Sequence, residues 1–473
     1  MNAIKPLILK FTGITLTIIL LGSTVGVHAQ APLNAAELAT TVDDGFTIAA
    51  LGDIIIAYPL DQMMSTPGFA EVLALLQSVD VVAGNMEGNI IDGRQFKGSA
   101  PGGFGAEPLA AEWLKDMGID IVARPNNHAN DFGIEGLIET SKHLDRVGIQ
   151  HAGYGDTYWA ARAARFVSSP RGRIGMVAAS DHQPQAALMS GEWPGRGGLS
   201  PLRVARQFMV PAADWEAVQT IRDLFPNGIS HFARGANSAD HIEFLGQSFR
   251  KAAPEVTEPY FSFEVNQTDV RDIMSAIREG KTISDFITFA IHAHHFRDTR
   301  GGFRGDGIPE AEHLDTNPSI ADYLPTVAKL AIDNGADMMQ GTGVHALRGI
   351  EIYKNRPIYY GLGEFMRQMD VIGLAGRNAP GRDEGPNDTQ GMPVKFESVI
   401  AINEFRVGEL YEIRLHPIEL GYSEVKLARR GIPVIASPEV SQRILRRLQE
   451  LSQPLGTSIV IENNIGIIRP SAQ

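Results

Sequence analysis

The sequence predicts an α/β fold with largely parallel strand pairing. Three observations carry that prediction. From Phe46 onward, short aliphatic and β-branched runs recur, each ending abruptly in a cluster of Gly, Asn, Asp or His. Runs of about four to eight such residues, bounded in this way, read as buried strands. Helical patterns lie between them, and strands alternating with helices imply parallel pairing. Finally, the polar clusters fall where the strands finish, which is where ligands gather in open α/β sheets.

In chain order, the opening stretch "MNAIKPLILKFTGITLTIILLGSTVGVHAQ" carries Lys5 and Lys10, then an apolar run from Phe11 to Leu21, then small residues placed for cleavage after Ala29. Residues 1–29 therefore read as a secretory signal peptide, because an uninterrupted span would need about 20 apolar residues and Lys10 breaks any longer run. The alternative is an anchor that stays in place. Either way the chain is expected outside the cytoplasm, periplasmic or extracellular, and membrane-anchored where the segment is retained.

"FTIAALGD" is the first strand and ends at Asp53; "PGFAEVLALLQSV" (67–79) follows as a helix with Pro at its start and Phe69, Val72, Leu73 and Leu76 at helical spacing. "VDVVAGNMEG" ends at Asn85 and Glu87, and "GIDIVARPNNH" ends at His128. Residues 181 to about 282 break the rhythm with a Gly/Pro-rich loop and weak helical patterns, an insertion over the core for which a lid is one reading. "ISDFITFAIHAHH" then ends in His292, His294 and His295. "LPTVAKLAIDNG" reads as a helix stopped by Gly335, and "GADMMQGTGVH" ends at His345. Residues 376–392 form a polar, glycine-rich loop. Beyond it, residues 393–473 read as a β-rich extension: a hairpin around "VGE", the amphipathic helix "SQRILRRLQELS", and a last strand pair near 458–468.

Bulk chemistry narrows the function. A formal net charge of −13 over 473 residues argues against a nucleic-acid partner. Cysteine is absent, so disulfides, thiolate metal sites and cysteine nucleophiles are excluded. No Walker loop and no G-x-S-x-G elbow occurs. The five clusters, taken as one shell, offer Asp53, Glu87, Asn127, His292, His294 and His345 as ligands to a divalent metal ion. This hard-to-borderline set suits Mn²⁺, Zn²⁺, Fe²⁺ or Mg²⁺. His292 and His294, two apart on a strand, point the same way. His128 is the candidate general acid or base, with Asp131 fixing its tautomer. Asn85, Asn126, His295 and Thr342 are assigned to the substrate, and Asp181 or His182 to the rim. Taken singly, each has a plainer reading: Asp53 as a helix cap, "NNHAND" as an Asx turn, His345 as a satisfied polar residue.

The ordered motifs "LGD", "GNMEG", "RPNNHANDFGIEGLIET", "IHAHH" and "GADMMQGTGVHALRGIEIYKNRPIYYGLGEF" resemble the CapA family of poly-γ-glutamate capsule biosynthesis proteins over residues 46 to about 370. The resemblance implies a metallophosphatase-like, calcineurin-type α/β/β/α sandwich holding one or two divalent ions. By position, Asp53 stands at the family's leading aspartate and Glu87 at its N-x-E acid. Asn127 and His128 match its N-N-H, His292 the histidine after its central strand, and His345 the last histidine of its G-x-x-P-H stretch. This chain departs from the family pattern at Thr342, where many members carry histidine, and at Val344, Gly361 and Glu364. Ile55 stands where calcineurin-type phosphatases have histidine. The function implied is metal-assisted hydrolysis or transfer on an anionic polymer or peptide such as poly-γ-glutamate. Two alternatives stand beside it: a non-catalytic protein that binds polymer or assembles with capsule-synthesis membrane proteins, and a metal-independent peptide epimerase.

Overall fold

A computed structural model describes residues 40–98, 103–181, 185–190, 193–225, 238–299, 317–368, 393–426 and 428–470. The signal segment 1–29, His182 and the loop 376–392 lie outside the described residues.

Two mixed sheets make the frame. In the larger, the parallel strands Phe46–Ile55, Val81–Met86, Ile121–Ala123 and Gln150–Ala152 lie side by side. In the smaller, Gly172–Ser180, Phe286–His292, Met338–Thr342 and Arg356–Tyr359 run parallel, flanked by antiparallel edge strands Arg165–Ser169 and Ile350–Tyr353. The parallel strands are buried along most of their length, as "VVAGNM" and "FITFAIH" lead one to expect of parallel strands covered on both faces.

Alternate residues of each strand go to different cores. Phe46, Ile48, Ala50, Val81 and Ala83 of the first sheet meet Ile174, Met176, Phe286 and Met338 of the second. Ala49, Leu51 and Val82, on the opposite face, pack under the helices Pro67–Leu76 and Ala110–Asp116. Val177, Ala179, Ile287 and Phe289 pack under Gln267–Lys281 and Tyr323–Asp333. The layers thus run helix, sheet, sheet, helix.

Two sequence expectations look different in three dimensions. The strands of the C-terminal extension, from Glu397 to Ile468, join the larger sheet. Glu397–Arg406 pairs antiparallel with the first strand, Phe46 opposite Phe405. It turns back at Val407 and Gly408, both with positive φ, into Glu409–Glu419. The helix Pro438–Ser452 then seats Ile444, Leu445 and Leu448 in the core between the sheets. Within 181–282, weak helical patterns conceal a four-stranded sheet of His241–Phe244, Gln247–Lys251, Val204–Val210 and Tyr260–Val265. The last helix of that stretch, Gln267–Lys281, belongs to the layered core.

Candidate metal centre

The carboxyl ends of both sheets converge on one buried point. On the first sheet, Asp53 sits in register between Asn85 on one neighbouring strand and Glu364 on the other. A register shift between Ala50 and Asp53 marks a bulge in its strand, the local device by which a strand re-aims a side chain. Glycine is required at that bulge. A Cβ at Gly52 would stand 2.2 Å from the carbonyl oxygen of Gly363, so the strand Glu364–Arg367 can approach only a residue without a side chain. On the second sheet His292 lies in register with Thr342.

Hydrogen bonds tie the two sheets together. Asn85 donates to Asp53 Oδ1 at 2.7 Å and lies 3.2 Å from His292 Nδ1. The backbone N–H of Gly343 donates to Asp53 Oδ2 at 3.1 Å. His292 Nδ1 is 3.1 Å from Thr342 Oγ1 and 3.4 Å from Asp53 Oδ1. Its other nitrogen, Nε2, is 2.8 Å from Asn127 Oδ1, 3.1 Å from His294 Nε2 and 3.9 Å from Glu87 Oε1. His345 Nδ1 lies 2.6 Å from Glu364 Oε1, which also pairs with Arg367.

These residues fit a divalent cation. Glu87, His292 and His294 each bring one donor atom within 4.8 Å of the others, and so do Asp53, Glu87 and His345. Ligands bound tetrahedrally at about 2.1 Å stand about 3.4 Å apart, within the 2.8–3.9 Å spread around His292 Nε2. The most telling atoms are the two carboxylate oxygens of Glu87. Both are buried and neither has a hydrogen-bond partner among the described residues, an arrangement that costs several kcal/mol per ion unless a counter-charge compensates it.

Electrostatics point the same way. Burial, then the charges of Asp53 and Glu364, push the Glu87 carboxyl well above the ordinary glutamate range. Burial would raise Asp53 too, but His292 and His345 beside it hold its carboxyl below the usual range. At Glu364, Arg367 and His345 overcome burial in the same way. Three buried carboxyls thus share one point, with Arg367 as the arginine beside Glu364.

The remaining expected residues take distinct places. His128 stacks on Phe104 at 3.7 Å between centroids, and its Nδ1 is 2.9 Å from Asp131 Oδ2, which also accepts from the Phe104 N–H. It borders the centre through its neighbour Asn127. Asn126, expected at the substrate, is fully buried. Its amide donates to the carbonyls of Met86 and Arg124, and its oxygen accepts from the His128 N–H. It builds the turn. His295 turns away from His292 to Asp181, 2.8 Å distant, beside Tyr323. Glu364 and Arg367 were not among the sequence candidates; the one signal was an acid standing in "YGLGEF".

A family model described as "Bacterial capsule synthesis protein PGA_cap" matches residues 47–299 and 314–369, a span that holds every ligand candidate above. The chain belongs to the CapA family. The uncharacterized protein y4sH of Sinorhizobium fredii is 37% identical over 91% of this chain and 94% of its own length. A "Probable polyglutamine synthesis accessory protein" of Mycobacterium tuberculosis is 25% identical over 64% of this chain and 60% of its own. The "Capsule biosynthesis protein CapA" of Bacillus anthracis is 22% identical over 37% and 43%. In this CapA-family chain Thr342 sets a hydroxyl beside His292, and Glu364 a carboxylate beside His345.

Proposed function

We propose that this CapA-family protein is an exported, metal-assisted hydrolase or transferase acting on an anionic polymer or peptide, such as poly-γ-glutamate, in capsule or envelope polymer metabolism. The observation that carries the reading is Glu87, whose buried carboxylate oxygens have no hydrogen-bond partner among the described residues and which lies beside Asp53, His292 and His345. Glu87, His292 and His294, or Asp53, Glu87 and His345, would hold a divalent ion, and such an ion would supply Lewis-acid polarisation of an amide or phosphoryl oxygen. The four-layer arrangement, with ligands at strand ends, supports assignment to the metallophosphatase-like class.

The protein's own residues do the rest. Asn127 presents its amide oxygen beside His292, and Thr342 and Asn85 hold the other ring nitrogen. His128 is positioned to give or take a proton: Asp131 accepts one ring N–H and Phe104 fixes the ring plane. The mycobacterial relative's name, a polyglutamine synthesis accessory protein, favours a second reading, an accessory role in polymer synthesis in which the centre serves binding.

Elemental analysis of the purified chain and of Asp53→Ala, paired with the change in poly-γ-glutamate chain length on incubation, tests the proposal. The expected result is a stoichiometric divalent ion and cleavage or transfer, both lost in Asp53→Ala. A parent protein with no ion after metal loading, and no effect on the polymer, refutes it.

A further inference from the structure

The inserted sheet does more than sit above the core. A cavity of about 610 Å³ lies between it and the end of the second sheet, lined by Arg206, Glu243, Gln247 and Ser248 on one side and by His294, His295 and Phe296 on the other. That size is within the range of ligand pockets, about 300–1,000 Å³. One wall therefore carries a candidate metal ligand, and the facing wall carries an arginine.

Register explains how Arg206 comes to be there. On Val204–Val210 it lies opposite Phe263, and two residues on, Phe208 lies opposite Phe261. Side chains two apart share a face. That face packs onto the metal-centre side: the Phe263 ring is 4.5 Å from His295 and the Phe261 ring 5.5 Å from Phe296. The guanidinium of Arg206 sits 5.0 Å from the Phe208 centroid and 5.1 Å from that of Phe261. Two aromatic faces thus pre-orient it. It is exposed, and no acidic partner is found for it among the described residues. The carboxylate in the same cavity, Glu243, is already 2.9 Å from His241.

We infer that Arg206 is a substrate-positioning residue that binds a carboxylate of a chain-like substrate lying in this cavity, with the segment to be processed directed at His294. This rests on the reading of the His292–His294 centre as the working site, and adds to it a residue that chooses the substrate. A guanidinium fork held against aromatic rings recognises a planar carboxylate through two parallel hydrogen bonds. A chain with a carboxylate on every unit offers such a group at whichever unit lies beyond the reacting one.

The test is equilibrium binding of γ-linked tetraglutamate to the full chain in chelator, so that the metal plays no part. Arg206→Ala, Arg206→Lys and the γ-linked neutral amide of the same peptide complete the set. Loss of one charge-assisted contact is worth between about ten- and a hundred-fold in Kd. Arg206→Ala is expected to lose that factor for the carboxylate peptide and nothing for the amide. Arg206→Lys should recover part of it. Equal affinity of parent and Arg206→Ala, or no binding by the parent, overturns the inference, as does displacement by inorganic phosphate at concentrations where glutarate leaves the peptide bound. Failure of the metal reading appears separately, as an ion-free parent that still binds the peptide through Arg206.

Discussion

Replacing Glu87 by Gln isolates the electrostatic argument. The carboxyl is buried, two further buried carboxyls lie near it, and burial with the charges of Asp53 and Glu364 raises its proton affinity. In the unfolded chain it ionises near its ordinary value of about 4.3; in the metal-free folded chain it does so well above that. Between these two points the folded state holds more protons than the unfolded one. Stability therefore falls as pH rises through that window, by up to about 1.4 kcal/mol per pH unit for one proton. Below both values the penalty is absent. An amide has the same shape and cannot ionise, so Glu87→Gln should remove this slope. In chelator at neutral pH it should be more stable than the parent by about 1–4 kcal/mol. With a divalent ion at a hundred times its Kd the parent gains about 2.7 kcal/mol and the variant little or none, so the order narrows or reverses. Urea denaturation of both proteins between about pH 5 and about pH 8, in chelator and in added Zn²⁺ or Mn²⁺, gives the comparison. Parallel pH curves in chelator, or equal stabilisation of both proteins by the ion, would refute the reasoning.

Two further outcomes follow from the geometry. His128→Ala should lower kcat on the polymer by about 10²–10⁴ and Asp131→Asn by less, with metal content unchanged in both; loss of metal in either would make the turn structural instead. Gly52→Ala forces a methyl against the Gly363 carbonyl and should cost about 3 kcal/mol in urea denaturation, whereas an unchanged midpoint would mean that the two strands separate easily.

Much of the centre was legible because strand ends announce themselves. His292 ends its strand, Glu87 and His345 stand just past the ends of theirs, and Asp53, expected to end the first strand, precedes its end at Ile55 by two residues. Glu364 was hidden: it lies on the short strand Glu364–Arg367, whose parallel pairing with Asp53, three hundred residues earlier, has no local signature. The paired asparagines show another limit. Asn126 and Asn127 are chemically identical neighbours, and only the turn geometry sends one to backbone carbonyls and the other to His292. The inserted sheet was missed because its strands are half-buried, so Val204–Val210 and Gln247–Lys251 lack the strong apolar alternation of a covered strand. The C-terminal hairpin was readable from its turn, but its place beside the first strand was not, since antiparallel alternation does not say which edge it joins.

The meeting of two sheets at these side chains has a mechanical side. Asp53 reaches across to Gly343, and Asn127 to His292, so groups suited to chemistry also rivet one layer to the other. Cutting a rivet lets the layers slip, and slippage silences an enzyme as surely as losing its chemistry does. Amide exchange along the ends of Phe46–Ile55 and Phe286–His292 tells the two apart: a variant that has lost only reactivity keeps those amides slow, while one that has lost the joint lets them open.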